Sequence, residues 1–192
     1  MEPLLLSLLL LVCSFSVLSF KALQPSRYRT TNIIHATNAI EHLLEDGGYK
    51  TFLTLLSFVP DVSGPLAEDK TMRTIFAPSA KAFEKLDSGV VTKLGDPRNL
   101  DVVEKIVRFH VTEGKLSEED IYKMQELITL EASKPLLVRP AKSGGLMGFG
   151  VKDDGFKINE ARIVKTIEFP NCIIHEVDTL LNPVLLYRFL VW

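Results

Sequence analysis

The sequence predicts an α+β protein in which helices come first and strands second. In the first half apolar residues recur at helical spacing, most clearly over 100–109, where Val103, Ile106 and Val107 share one face. From Leu127 onward the pattern changes to short apolar runs bounded by turn residues, which is typical of strands. Because the two kinds of element are segregated rather than alternating, an α+β class is favoured over a parallel βαβ sheet.

Residues 1–19 resemble a signal peptide. After Glu2 they carry no charge, and the apolar run is slightly shorter than the ~20 residues that cross a bilayer. Cleavage is predicted after Ser19, with Ala22 as the alternative, and residues 20–29 then form a linker. An uncleaved membrane anchor is the other interpretation, because the segment lacks the Lys or Arg that usually precedes the apolar core of a signal peptide.

Two helices are predicted ahead of a polar loop at 61–73. The first spans residues 32–44 and the second ends at Pro60. Gly47 and Gly48 separate them, since glycine readily takes the left-handed conformation that ends a helix. Their inward faces carry the apolar residues Ile33, Ala36, Ile40, Leu43, Leu44, Phe52, Leu55, Leu56 and Val59.

A short buried strand is predicted at 74–77. Pro78 ends it, and a helix that buries Phe83 begins at once. Further along, Ser117 and Asp120 have the spacing of a capping box, in which a serine and an acidic residue three positions later satisfy the first amide groups of a helix. They predict a short helix after Ser117.

The second half is predicted to be mainly strand. The turn sequence Asp-Asp-Gly at 153–155 predicts a hairpin. The glycine-rich stretch 144–150 lacks the Lys-Ser/Thr pair of a phosphate loop and predicts only a connection between strands. Strands are predicted at 127–130, 136–138, 149–151, 156–158, 162–169 and 172–177.

No motif in the sequence predicts catalysis, a cofactor or a metal site. His35 and His42 are seven residues apart, whereas metal-binding pairs on a helix are usually three or four apart. His175 and Asp178 are three apart on a predicted strand and face opposite sides. His110 follows a helix, where its ring can bond the terminal carbonyl groups. We therefore expect a protein that is not an enzyme, with no cofactor.

The net charge, the cysteine content and the C-terminal tail indicate which classes of partner are expected. The formal net charge is −2, without the basic excess of a nucleic-acid binder, so no nucleic-acid partner is expected. Cys172 is the sole cysteine outside the signal-like segment; it has no disulfide partner in the mature chain and is predicted to be buried. The apolar tail 184–192 is too short to span a bilayer and is predicted to pack on the domain, with membrane or partner contact as the alternative.

Three segments together resemble the fasciclin (FAS1) domain. Residues 74–83, TIFAPSAKAF, resemble its first signature, and residues 172–183, CIIHEVDTLLNP, resemble its second. Between them, the Phe-His pair at 109–110 resembles the Tyr-His segment of the family. The resemblance, to single-domain members of the plant fasciclin-like type, covers residues 30–183 and implies helices packed on a β-sandwich wedge. It makes the following residues interior signature positions: Thr74, Phe76, Pro78, Phe83, His175, Asp178 and Pro183.

The resemblance also implies a non-enzymatic adhesion or binding module that contacts proteins or polysaccharides in the extracellular matrix or cell wall. Its candidate binding surface comprises Phe109, His110, Ile167 and Phe169. Thr166 stands where animal members carry the Asp of an Asp-Ile adhesion element, so integrin-type recognition is not implied. The alternatives are a carrier of an apolar pigment or lipid, and a FAS1 domain anchored to a membrane.

Overall fold

Helices precede most of the strands in the computed structural model, which describes residues 32–33, 39–68, 71–143, 152–183 and 190. The helices are α1 (Ala39–Asp46), α2 (Lys50–Ser57), α3 (Pro60–Ala67), α4 (Ala80–Glu84), α5 (Ser88–Leu94), α6 (Leu100–Phe109) and α7 (Glu118–Lys123), with a 3-10 turn at Pro97–Asn99. The strands are β1 (Asn32–Ile33), β2 (Arg73–Pro78), β3 (Val111–Glu113), β4 (Glu126–Leu127), β5 (Leu136–Ser143), β6 (Lys152–Ile158), β7 (Ile163–Glu168) and β8 (Cys172–Val177). The α+β class is confirmed.

The described strands form two sheets. The larger sheet has the order β1-β7-β8-β2-β3, and the smaller, antiparallel sheet has the order β4-β5-β6. Within the larger sheet β2 runs parallel to β8, in a register that pairs Arg73 with Cys172 and Pro78 with Val177. The two signature segments are therefore adjacent strands in the middle of this sheet.

The two faces of the larger sheet cover different cores. Ile75 and Phe76 are neighbours on β2, and because successive side chains point to opposite faces, they lie in separate clusters. Ile75 packs with the helices, and Leu190 from the tail joins the same cluster. Phe76 packs against the smaller sheet. The cluster around Phe76 consists of Phe76, Phe109, Ile121, Leu127, Leu136, Ile158, Ala161, Val177 and Leu181.

Helix α6 has the predicted bounds, whereas the helix predicted at 32–44 is wrong in its first part. Residues 32–33 instead form β1, which pairs in parallel with β7, and α1 begins at Ala39. Leu44, predicted to face inward, is 62% exposed. A two-residue strand is too short to show its own periodicity, so the apolar pattern that continues into α1 masked it.

The loop predicted at 61–73 is also wrong as far as Ala67, because α3 covers this stretch. Pro60 occupies the first turn of α3, where its fixed φ suits a helix and its missing N–H costs no hydrogen bond. Val62 and Leu66, four residues apart, are buried on one side of the helix. The predicted strand at 127–130 is likewise shorter, since β4 ends at Leu127.

The hairpin turn predicted at 153–155 is wrong, because these residues lie within β6. Asp153 pairs with Lys142 and Phe156 with Pro140, so β6 has one residue more than β5 between the two pairs. Gly155 has a φ of 81° and supplies the left-handed residue of this β-bulge. The sequence alone does not distinguish a glycine in a β-bulge from a glycine in a turn, because both positions favour glycine for its left-handed backbone.

Several predicted segments lie outside the described residues. They include the signal-like segment 1–19, the linker 20–29, the strand predicted at 149–151 and all of the tail except Leu190. Among the helices that the structure describes, none combines the length and apolarity needed to cross a membrane.

Candidate functional site

The four residues predicted as a binding surface are buried, so that prediction is corrected. Phe109 belongs to the core beneath the smaller sheet, whereas Ile167 and Phe169 belong to the core beneath the helices. His110 has no solvent exposure. Phe109, Ile167 and Phe169 fill the interior because the other residues of the two core clusters pack around them.

The signature residues lie inside the fold. Among them Asp178 alone is half-buried, while the others are buried. Asp178 accepts hydrogen bonds from the Arg162 amide at 2.8 Å and the Lys85 ammonium at 3.2 Å. Burial acts to raise its pKa, but these donors outweigh that effect and hold the pKa of Asp178 below its ordinary value.

Two polar signature side chains, Thr74 and His175, hold one segment across the larger sheet. We name this segment, residues 114–118, the crossing loop; it ends at the first residue of α7. Thr74 on β2 donates its hydroxyl to the Gly114 carbonyl and accepts from the Leu116 amide, both at 2.8 Å. His175 on β8 places Nε2 2.9 Å from the Leu116 carbonyl oxygen. Because β2 and β8 are adjacent, the crossing loop is tied to two neighbouring strands.

A third strand adds the last contact. Thr166 on β7 contacts the Glu118 carboxylate at the end of the crossing loop, and its hydroxyl also lies 2.9 Å from His175 Nδ1. The Leu116 carbonyl can only accept, so His175 Nε2 carries the ring proton and Nδ1 is an acceptor. Thr166 therefore has a single proton for two acceptors, the Glu118 carboxylate and His175 Nδ1.

His110 connects helix α6 to the second signature. Its Nδ1 lies 2.7 Å from the Ile106 carbonyl oxygen, and the Leu181 amide donates to its Nε2 at 3.1 Å. The sequence predicted such a bond at the helix end. Burial lowers the pKa of His110 to about 4 and, likewise, the pKa of His175 to about 4, so both rings are neutral at pH 7.

These buried histidines are not accessible to a substrate. Thr166, His175 and Glu118 have the residue types of a nucleophile, a base and an orienting acid, but Thr166 is only 4% exposed and His175 has no exposure. Cys172 is a buried thiol, with 3% of its surface exposed. Within the described ranges, no group of three or more His, Cys, Asp or Glu side chains is placed to hold a metal ion.

The smaller sheet presents an exposed side that the sequence analysis missed; we call it the outer face. Arg139 is exposed and lies opposite the half-buried Lys157 on the next strand. Along the β4 edge, Met124 is 38% and Ile128 is 74% exposed. Leu137, two residues before Arg139 and so on the same side of β5, is half-buried.

The outer face has a mixed chemistry. It combines exposed apolar groups with two cations and with the exposed carboxylate of Glu126, which lies opposite Leu137 on β4. Thr74 and His175 instead serve the interior. The one available signal in the sequence is the alternation of Leu136, Leu137, Val138 and Arg139, which places Leu137 and Arg139 together. The partner of Arg139 across the strand could not be identified, because the bulge in β6 changes the register.

Comparisons with known proteins identify the family. The Fasciclin domain family model matches residues 47–183. Protein sll1483 of Synechocystis is 30% identical over 139 residues, which are 71% of this chain and 69% of that protein. Uncharacterized protein sll1735 of the same organism is 28% identical over 144 residues, or 75% of this chain and 96% of that protein.

The fold has a counterpart among solved structures. The FAS1 domain pair from the insect cell adhesion molecule Fasciclin I matches with a TM-score of 0.58 at 18% identity. The match covers 81% of this chain and 53% of that one, so this chain spans about half of the domain pair. With the family model matched over most of the chain and the fold in agreement, this chain belongs to the fasciclin domain family.

Proposed function

We propose that this protein is a secreted, non-enzymatic binding module that attaches to proteins or polysaccharides of an extracellular matrix or cell wall. Domains of this family are generally adhesion-related modules and typically lie outside the cell. The observation that carries the proposal is the division of chemistry in the fold. Thr74 and His175 are buried and hold the crossing loop, while the outer face exposes contact groups.

The outer face has a composition suited to recognition. Methionine and arginine are enriched at protein interfaces, and both occur here as Met124 and Arg139. Tyr122, which is 47% exposed, does not belong to this face, because its ring contacts Phe156 at 5.7 Å and Phe156 packs against the inner cluster.

An enzyme and a carrier are less well supported. The histidines that could transfer protons are neutral, buried and occupied by fixed hydrogen bonds. A carrier of a pigment or lipid needs apolar side chains free to line a cavity, but Phe52, Phe76 and Phe109 are packed within the two cores. Native mass spectrometry of the protein from its source tissue would reveal a co-purifying pigment or lipid.

Export can be tested separately from binding. We expect a tagged full-length chain to appear in the medium of a secreting host, and a chain that lacks residues 1–22 to stay in the cytosol. Retention of the full-length chain in the cytosol would contradict secretion. Amino-terminal sequencing of the exported protein would distinguish cleavage after Ser19 from cleavage after Ala22.

Binding is tested with immobilised matrix proteins and wall polysaccharides against the purified full-length chain. The test variant is Met124→Ser with Ile128→Ser, and the control is Leu44→Ser with Leu100→Ser, which also removes two exposed apolar side chains. We expect about tenfold weaker binding for the test variant, since a few central residues dominate most interfaces. Equal binding by both variants would exclude the outer face as the contact.

A further inference from the structure

Two cations lie opposite each other on the outer face. Arg139 on β5 and Lys157 on β6 are directly paired in the antiparallel register. Residues paired in this way have Cβ atoms ~4.5–5.5 Å apart, and like charges at such a distance destabilise the sheet. A sequence that only had to fold would gain stability by replacing one of them.

Several cations in the described part of the chain form ion pairs. Arg73 forms an ion pair with Glu113, and Lys165 forms one with Asp46. Arg108 likewise contacts two acidic side chains. Arg139 and Lys157 form no ion pair with the described residues, and the exposed Lys81 and Lys105 form none either. Arg139 and Lys157 differ from those two lysines because they lie directly opposite each other on adjacent strands. The pair is therefore a local concentration of positive charge, and the exposed carboxylate of Glu126 lies on the same face, on the neighbouring strand β4.

We propose that Arg139 and Lys157 bind the carboxylates of an acidic polysaccharide, one that carries a uronic acid in each repeat. This inference rests on the proposed binding function and names the ligand class. The guanidinium group of Arg139 can hold one carboxylate with two parallel hydrogen bonds, and the ammonium group of Lys157 can hold another as a point charge. Met124 and Leu137 supply apolar surface beside the cations for the C–H groups of the sugar rings.

The dimensions of the outer face favour a linear polymer over a folded protein. Three strands spaced ~4.8 Å apart make a face about 10 Å across, and its longest strand of 8 residues gives a length of about 25 Å. A standard protein interface buries about 800 Å² on each partner, several times the area of this face. A single extended chain with repeated charges needs only a narrow strip.

The melting temperature of the ligand-free protein gives a first test, which does not depend on measuring an affinity. If the pair is kept for binding, Lys157→Gln should raise the melting temperature at low salt, because it removes the repulsion. Alginate oligomers, which carry one carboxylate per sugar, should raise the melting temperature of the unaltered chain. They should not raise that of Arg139→Gln with Lys157→Gln. Sodium chloride at the same ionic strength controls for simple screening.

The deciding experiment is calorimetric titration of the purified full-length chain with alginate oligomers in about 50 mM salt, where screening is modest. We expect Arg139→Gln with Lys157→Gln to bind about tenfold or more weakly, since each charged hydrogen bond is strong. The matched control is Lys81→Gln with Lys105→Gln, which removes the same net charge from exposed positions on α4 and α6. It should bind within about twofold of the unaltered chain.

Each outcome decides the proposal. Alginate binding that is lost in the test variant and kept in the control supports it. Equal loss in both variants, equal affinity for poly-L-glutamate, or equal affinity for neutral dextran would overturn it. If the chain binds other matrix components on the panel but not alginate, the proposed function stands and the ligand class is wrong. If it binds nothing on the panel, the proposed function itself fails.

Discussion

His175 Nε2 lies 2.9 Å from the carbonyl oxygen of Leu116, and this bond joins the second signature to a loop 59 residues earlier in the chain. With Thr74 and Thr166, it ties the crossing loop to three adjacent strands. Loops usually meet their hydrogen-bonding needs in water, but the Leu116 carbonyl meets its own through a buried imidazole. The histidine of the signature is thus a structural hydrogen-bonding group.

The first prediction compares two buried histidines. His175→Leu leaves the Leu116 carbonyl and the Thr166 hydroxyl without this partner, so we expect the free energy of unfolding to fall by ~2–4 kcal/mol. His42 is also buried, but its Nε2 has no hydrogen-bond partner among the described residues. His42→Leu should therefore be neutral or stabilising. Urea unfolding at pH 7 measures both, and equal losses would show that His175 acts only by filling space.

The second prediction concerns the single proton of Thr166. Glu118→Gln supplies an amide that donates to the Thr166 hydroxyl oxygen, which leaves the Thr166 proton free for His175. We expect Glu118→Gln to be more stable than Glu118→Ala by ~1 kcal/mol or more. Both variants remove the negative charge from the first turn of α7, so that effect cancels. The same urea midpoint for the two variants would contradict the shared proton.

The third prediction is a loss of stability in mild acid. Histidine in the unfolded chain has a pKa of ~6.5, whereas burial lowers the pKa of His110 and His175 to about 4. Between these values the unfolded chain binds protons that the folded protein does not. The free energy of unfolding should therefore be fully present above pH ~6.5 and fall by up to ~1.4 kcal/mol per pH unit for each ring as the pH drops to ~4.

Unfolding curves at several pH values between 7 and 5 check this dependence. His110→Gln is the informative variant, because it should be less stable at pH 7 and show a shallower decline in acid. A free energy of unfolding that stays constant from pH 7 to pH 5 would mean that the buried rings already accept protons in the folded state.

The interior of this fold could largely be predicted from the sequence. Helix α6 and the two signature strands have strong local patterns, and their apolar residues are where the periodicity puts them. The prediction of the binding surface was wrong because Phe109, Ile167 and Phe169 were assigned to it from their positions in the family. The apolar residues around them in the sequence instead indicate that they belong to the core. Apolar residues flanked by buried strands and helix ends should be read as interior before any contact role is given to them.

The outer face depends on information that is not local in the sequence. Whether Arg139 faces Lys157 depends on the pairing of β5 with β6, and that pairing includes a bulge. The contact of His175 with Leu116 likewise depends on the path of the crossing loop over the sheet. Local propensity fixes neither, because both arise from tertiary packing of segments distant along the chain.

The last prediction tests the bulge. Gly155 has a φ of 81°, and a Cβ added there would meet nothing within 4 Å, so Gly155→Ala carries only the cost of a left-handed backbone. We expect a loss of ~1–2 kcal/mol in the free energy of unfolding. At Gly95, where φ is negative, an added Cβ would make an ordinary contact with the Thr92 carbonyl oxygen at 3.5 Å. Gly95→Ala should be neutral or stabilising by ~0.4–1 kcal/mol.

The bulge lies beyond the Pro140–Phe156 pair, on the side away from Arg139 and Lys157. Gly155→Ala should therefore lower stability while leaving those two cations opposite each other, and alginate binding by the folded protein should be unchanged. A stability equal to that of Gly95→Ala would show that residue 155 does not adopt the left-handed conformation. A loss of binding in protein that is still folded would show that the bulge sets the register of the whole hairpin.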